Sequence, residues 1–192
     1  MPNEEGSDVS DLAEAAKDLC RFFAEVRGTI IGGFAMSLIV EGRFTRDVDG
    51  TVDPNVRPFD ELVSTLAQYG FVPRIQDFAR VAQENMILLL KHAPTAIPID
   101  LALGCTDFEQ SMISRAIEHQ IDGVTVRVAT PEDIVVSKSI SPRTRDLADI
   151  EALIATYPNL DKPYVLKWIS GLEAVLEDPE PFEAVRKLLS GS

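Results

Sequence analysis

Histidine and cysteine are scarce in this chain, with two of each in 192 residues. Cys20 and Cys105 stand far apart in apolar surroundings, and His92 and His119 show no zinc-ligand spacing. That excludes a disulfide framework or a zinc centre and leaves both thiols read as buried in a reducing cytoplasm. The two histidines read as loop or helix-end residues, and the single tryptophan, Trp168, as packing among C-terminal helices rather than stacking a base. No run approaches the roughly 20 apolar residues of a membrane helix. Residues 1–8 are acidic and polar, unlike the basic-then-apolar opening of a secretory leader. A cytoplasmic protein with no membrane partner is expected. Basic residues are also in the minority, 18 Lys and Arg against 31 Asp and Glu, for a formal net charge of −13. That sign opposes a broad nucleic-acid footprint, so no DNA partner is expected.

Apolar residues make up 45% of the chain, enough to bury a sizeable core. Helical spacing marks Asp11–Arg27, with Asp8 or Ser10 as its cap, through Leu12, Ala15, Ala16, Leu19, Phe22, Phe23 and Val26. A short strand, Thr29-Ile30-Ile31, meets Gly32-Gly33. A helix over Phe34–Val40 follows, stopped by Gly42, and then a strand over Arg46–Val52. Next come a helix over Phe59–Gln68, strands over Asn85–Lys91 and Ile97–Leu103, a helix over Phe108–His119, and a strand over Val124–Val128 after the Asp122-Gly123 turn. From Pro131 onward every segment reads as helix: Pro131–Ser139, Thr144–Thr156, Pro163–Leu176 and Pro181–Leu189. Residues 1–128 thus form a mixed α/β half, and residues 129–192 a helical region expected to pack on it.

The chemistry concentrates in carboxylates. In a strand, Asp47 and Asp49 share a face while Val48 points to the core. Two anions that close repel, by roughly 4 kcal/mol at 4 Å and an effective dielectric near 20. A hard divalent cation reverses the sign, and oxygen-only ligation is what Mg²⁺ prefers. Asp100 is the third candidate, because Ile99, Leu101 and Leu103 face one way and leave it as a lone acid on the other, costly unless paired. Acid-x-acid spacing alone says little, since about five such matches arise by chance at this acid content. What adds weight is Gly32-Gly33, between a buried strand and a helix, where backbone N–H groups and a positive helix end suit a phosphate.

Ile31-Gly32-Gly33, a short helix, then Asp47-Val48-Asp49 resembles the signature of the DNA-polymerase-β-like nucleotidyltransferase superfamily. Gly42-Arg43-Phe44-Thr45-Arg46-Asp47-Val48-Asp49 looks like its AbiEii-toxin-like, minimal nucleotidyltransferase branch, as do Lys138 and the stretch Arg143-Thr144-Arg145-Asp146-Leu147-Ala148-Asp149. The resemblance implies an α/β (α+β) fold, a mixed β-sheet flanked by helices with a C-terminal helical region. It also implies a Mg²⁺- or Mn²⁺-dependent enzyme that moves a nucleoside monophosphate from a nucleoside triphosphate to an acceptor hydroxyl. Carried over residue by residue, Asp47, Asp49 and Asp100 bind metal, and Gly32 and Gly33 hold the triphosphate. Arg43 and Arg46 flank the acids as further nucleotide contacts, Lys138 neutralises phosphate charge, and Asp149 is an accessory catalytic residue. An RNA or tRNA acceptor and an antitoxin protein are the partners it implies, with protein or small-molecule acceptors as alternatives.

Read from the residues alone, Lys138 is more often a solvated surface lysine, and Arg145 and Asp149, four apart, a helix-surface ion pair. Gly33 stands where many members carry serine, and Gly50 where an apolar residue is usual. Those departures keep a second reading open, a nucleotidyltransferase fold that binds a nucleotide or a partner without turnover.

Overall fold

Leu12, Ala15, Ala16, Leu19, Phe22, Phe23 and Val26 recur at steps of three and four, which lines them along one helical stripe. A computed structural model, which describes residues 4–40, 43–140, 142–177 and 179–191 and side chains from residue 9 onward, buries all seven. They belong to helix α1 (Glu4–Glu25) and the residue after it. The helix begins well before the expected Asp11, so Asp8 and Ser10 lie inside it rather than capping it. The extra turns carry almost no apolar residue, and Val9 is exposed, so no periodic signal announces them.

The chain folds as two compact units, residues 1–38 with 42–129 and residues 39–41 with 130–192. The first is built on one seven-stranded mixed sheet. Its elements after α1 are β1 (Gly28–Ile31), α2 (Gly32–Ile39), β2 (Val48–Val52), α3 (Phe59–Gln68), β3 (Phe71–Pro73), α4 (Phe78–Asn85), β4 (Ile87–His92), β5 (Pro98–Leu103), α5 (Asp107–Arg115), β6 (Ile117–Ile121) and β7 (Val124–Val128). The strand order is β3-β4-β5-β2-β1-β7-β6, with β2 parallel to β5, β1 parallel to β7 and the remaining pairs antiparallel. One face is sealed: Val48, Leu88, Ile99 and Leu101 are fully buried. A Cβ on Gly50 of the same face would lie 3.1 Å from Phe23, which puts α1 against it. On the other face α5 covers the sheet at Thr51, since a Cβ on Gly104 would sit 2.9 Å from its hydroxyl and 3.3 Å from Ile113. Asp49, two residues earlier on β2, is half-buried.

Several expected boundaries move. Strand β2 starts at Val48, so Asp47 lies in a bend before it rather than in the Arg46–Val52 strand. The helix expected over Phe34–Val40 starts at Gly32, and the stop assigned to Gly42 lies outside the described residues. The segment Phe108–His119 is not one helix. After the Thr106–Glu109 capping box α5 runs to Arg115, Ala116 leaves helical geometry, and β6 pairs with β7 across Asp122-Gly123. Pairing with β7 decides this, because β6 itself has no buried position. Asn85 ends α4 instead of opening a strand, and α4 and β3 were both unforeseen. Cys20 is buried and its thiol is pushed up to about 11 by burial, whereas Cys105 is exposed, contrary to expectation. His92 is fully buried at the end of β4, with Nδ1 2.8 Å from Thr95 Oγ1 and Nε2 3.2 Å from Asp18, and His119 lies within β6.

The second unit holds α6 (Pro131–Ser139), α7 (Thr144–Thr156), α8 (Lys162–Leu176) and α9 (Glu180–Ser190). Proline in the first turn opens α6, α8 and α9, where its missing N–H leaves no bond unmade. Helix α6 is the most enclosed, burying Pro131, Asp133, Ile134, Val135, Val136 and Ser139. Among the described residues no helix is long and apolar enough to cross a membrane.

Burial inside this unit forces charge to pair. Lys138 Nζ donates to Asp146 Oδ1 and Asp149 Oδ2, each at 2.7 Å, and the three side chains are 11%, 7% and 8% exposed. Asp146 Oδ2 also accepts from Arg143 Nε at 2.8 Å and from its backbone N–H at 3.1 Å. Burial alone would raise the Asp146 carboxyl, yet the Arg143 and Lys138 hydrogen bonds outweigh it and hold it at about 2, below the ordinary 3.8. A depressed carboxylate stabilises the fold above its ordinary value and loses that contribution as pH falls through the lower one. Acidification from about pH 4 to about pH 2 should therefore remove roughly 2 kcal/mol. Asp146→Asn should abolish that acid dependence and cost about 3 kcal/mol near neutrality, because Lys138 keeps its charge and loses a partner. Urea unfolding of both proteins across this range checks it, and identical acid profiles would contradict it.

Candidate active site

Strand β1 ends at Ile31 and the chain turns into α2 through Gly32, whose φ is +64°. A Cβ there would lie 2.1 Å from Asp49 Oδ2, so the Asp49 carboxylate rests directly on the glycine backbone. The register explains the approach, since Ile31 pairs with Asp49 across β1 and β2. On the other side of β2, Asp49 is level with Asp100 of the parallel strand β5. In-register residues on neighbouring strands, about 4.8 Å apart, present side chains on the same face. The row continues to Leu89 of β4, level with Asp100, and then to Arg74, whose backbone N–H donates to Leu89 O at 3.1 Å.

Arg74 is the site residue that sequence reasoning missed. It follows β3, a three-residue strand too short to show periodicity. Its Nη1 stands 2.5 Å from Asp100 Oδ1, with side chains 28% and 36% exposed. The N–H directions run instead to Leu90 O at 3.3 Å and Ile99 O at 3.4 Å. Asp100 Oδ1 is thus shut off from solvent with a charge beside it and no aligned hydrogen bond. The lone acid on an apolar strand has its partner, and the partner is a cation from another strand end.

Asp47 is exposed in the bend before β2, and its Oδ1 accepts a 2.5 Å hydrogen bond from Thr45 Oγ1. A Cβ on Gly33 would lie 2.7 Å from that same hydroxyl, so glycine here leaves room for Thr45 where a serine would press on it. Arg43 Nη1 donates to Phe44 O at 2.6 Å, Phe44 is 78% exposed, and Arg46 is exposed. Lys138 and Asp149 belong to the helical unit, bound to each other as described. Lys138 is half-buried and bound to two carboxylates, not the solvated lysine its sequence position allowed, and Asp149 is buried.

The acids expected to share an ion are therefore placed as an in-register pair, Asp49 and Asp100, with Asp47 two positions upstream. Among the described residues no three His, Cys, Asp or Glu side chains gather closely enough to hold a metal ion. The pair itself suits a hard cation: the donors are carboxylate oxygens, that of Asp100 shut from water with no aligned hydrogen bond, that of Asp49 beside a glycine backbone with no Cβ in the way.

The close approach at Gly32 is open to measurement. Gly123, also left-handed at φ +78°, has nothing within 4 Å of a built Cβ. Gly123→Ala should lose about 1 kcal/mol, for the backbone alone. Gly32→Ala should lose about 2–3 kcal/mol, because the methyl group must displace Asp49. Thermal unfolding reads both, and equal losses would mean that the carboxylate swings aside freely.

The fold is shared with solved nucleotidyltransferases. An antigenic nucleotidyltransferase-like protein from Paracoccidioides brasiliensis superimposes with a TM-score of 0.54 at 19% identity, covering 93% of this chain and 94% of that one. The antibiotic-resistance factor ANT(2'')-Ia gives 0.53 at 18%, covering 96% and 100%. A lincomycin-bound lincosamide antibiotic adenylyltransferase, LnuA, gives 0.50 at 14%, covering 72% and 93%. A comparison with curated protein sequences finds no match. The family model described as nucleotidyl transferase AbiEii toxin, type IV TA system, matches residues 17–181, a span that takes in the glycine pair, the carboxylate row and the Lys138 cluster. On that match this chain belongs to the AbiEii family of nucleotidyl transferases.

Proposed function

We propose that this protein transfers a nucleoside monophosphate from a nucleoside triphosphate to a hydroxyl at an RNA end, with Mg²⁺ or Mn²⁺. The observation that carries it is the Asp49–Asp100 pair, level on adjacent strands, with Asp49 packed against Gly32 where α2 begins. Asp49 and Asp100 would hold the cation, with Asp47, two positions before Asp49, as the third acid of this reading. When bound, it neutralises the triphosphate and withdraws charge from the α-phosphorus. Backbone N–H groups at Gly32-Gly33 receive phosphate oxygens at the positive end of α2. Asp100 accepts the proton of the attacking hydroxyl. The acceptor oxygen bonds to the α-phosphorus, the bond to the bridging β-phosphate oxygen breaks, and pyrophosphate leaves.

An RNA end is the acceptor that fits a chain of net charge −13, because a terminus needs only local contacts. Arg43 and Arg46 supply cations beside the acids, and Phe44, 78% exposed between them, offers a face to a base. An antitoxin protein is the partner that membership in a toxin family suggests, and the Lys138–Asp149 cluster is assigned a supporting role toward phosphate charge. A second reading, nucleotide binding without turnover, is favoured by two contacts: Thr45 holds Asp47 and Arg74 faces Asp100.

Incubation with labelled nucleoside triphosphates, Mg²⁺ and total RNA should label RNA and release pyrophosphate. Asp49→Asn should cut both at least about a hundredfold while leaving the melting temperature in place. Full turnover by that variant would sink the assignment. Label in protein or small molecules would change the acceptor, and nucleotide binding with no pyrophosphate from any acceptor would establish the second reading.

A further inference from the structure

Arg74 has no place in the chemistry above, yet it stands directly beside the carboxylate row. Three features set it apart from an ordinary ion pair. Its partner oxygen, Asp100 Oδ1, is closed to water, so the guanidinium is the compensation the structure gives it. Its own hydrogen bonds, to Leu90 O and Ile99 O, are long at 3.3 and 3.4 Å, near the outer limit of useful strength. And it stands at the end of the row Arg74–Leu89–Asp100–Asp49, on the same side of the sheet as both acids.

We propose that Arg74 is an internal counter-cation for the Asp49–Asp100 pair, filling the place beside Asp100 that a divalent cation takes and yielding it only when a triphosphate arrives to receive the guanidinium. The inference rests on the reading of Asp49 and Asp100 as cation ligands. Electrostatics supplies the reason. Two level carboxylates without a cation repel each other, and a guanidinium, always charged, relieves that repulsion. A dication placed beside the same oxygen meets the guanidinium as a like charge, so it binds weakly on its own. Triphosphate oxygens remove the conflict, because they accept the planar guanidinium in two-pronged hydrogen bonds while the cation takes the carboxylates. Cation and nucleotide then enter as one unit, and a free cation does not occupy the site ahead of the nucleotide.

Mn²⁺ binding to the whole chain, read by the electron-spin signal of the free ion, tests this without any turnover. In the absence of nucleotide, Arg74→Gln should bind Mn²⁺ about tenfold more tightly than the parent protein. Arg74→Lys, which keeps the charge, should stay close to the parent. Adding Asp49→Asn to Arg74→Gln should erase the gain. If the glutamine variant does not fold, Arg74→Met, which keeps an unbranched apolar stem, takes its place. With a non-hydrolysable triphosphate present, the parent should show a Mn²⁺ site that Asp49→Asn removes. An Asp49-dependent site in that last measurement, with no gain in the neutral Arg74 variants, would overturn the counter-cation role and leave the assignment of Asp49 and Asp100 standing. No Asp49-dependent site under any condition would overturn both.

Discussion

The register that sets Asp49 level with Asp100 on adjacent strands is the constraint on which the candidate site depends. A strand register that sets Asp49 beside Asp100 is unfavourable in itself, and the surroundings show how it is maintained. Gly32 gives one carboxylate a seat against bare backbone, and Arg74 stands next to the other. The sealed face of the same strands, with Val48, Ile99 and Leu101 fully buried, prevents either strand from slipping by one residue to separate the acids. Such a slip would turn the whole apolar set toward water. Hydrophobic burial on one side thus fixes the level placement of two acids on the other.

The same logic recurs, in closed form, in the helical unit. There a lysine is surrounded by two acids, an arginine completes the set, and all but the arginine are shielded from solvent. Each oxygen with a partner there has an aligned donor, unlike Asp100 Oδ1. A satisfied cluster rigidifies the helices that carry it; an unsatisfied one is poised to take up something else.

Where the chain spoke clearly in sequence, it did so through period. Asp49 and Asp100 were legible because apolar neighbours at alternate positions fixed which way each acid must face, and the stripe of α1 was legible at steps of three and four. Asp47 was misplaced by a strand boundary that falls just after it, which removed it from the alternation that had defined it. Arg74 could not be seen, because β3 is three residues long and its meaning comes from β4 and β5, brought alongside only by folding. Strand β6 was lost for a related reason, since Ile117–Ile121 becomes a strand through its partner rather than its own pattern. The burial of Lys138 depended on Asp146 and Asp149 coming from a different helix, which spacing along one helix cannot convey.

The shortness of β3 has an effect on the sheet as a whole. It forms one border of the seven strands, and it closes on Pro73, which has no N–H to offer a newcomer. Long unpaired borders recruit other chains into extended stacks. Here that border is blunted within three residues, so the arginine that follows it stands beside Asp100 without leaving an adhesive flank exposed.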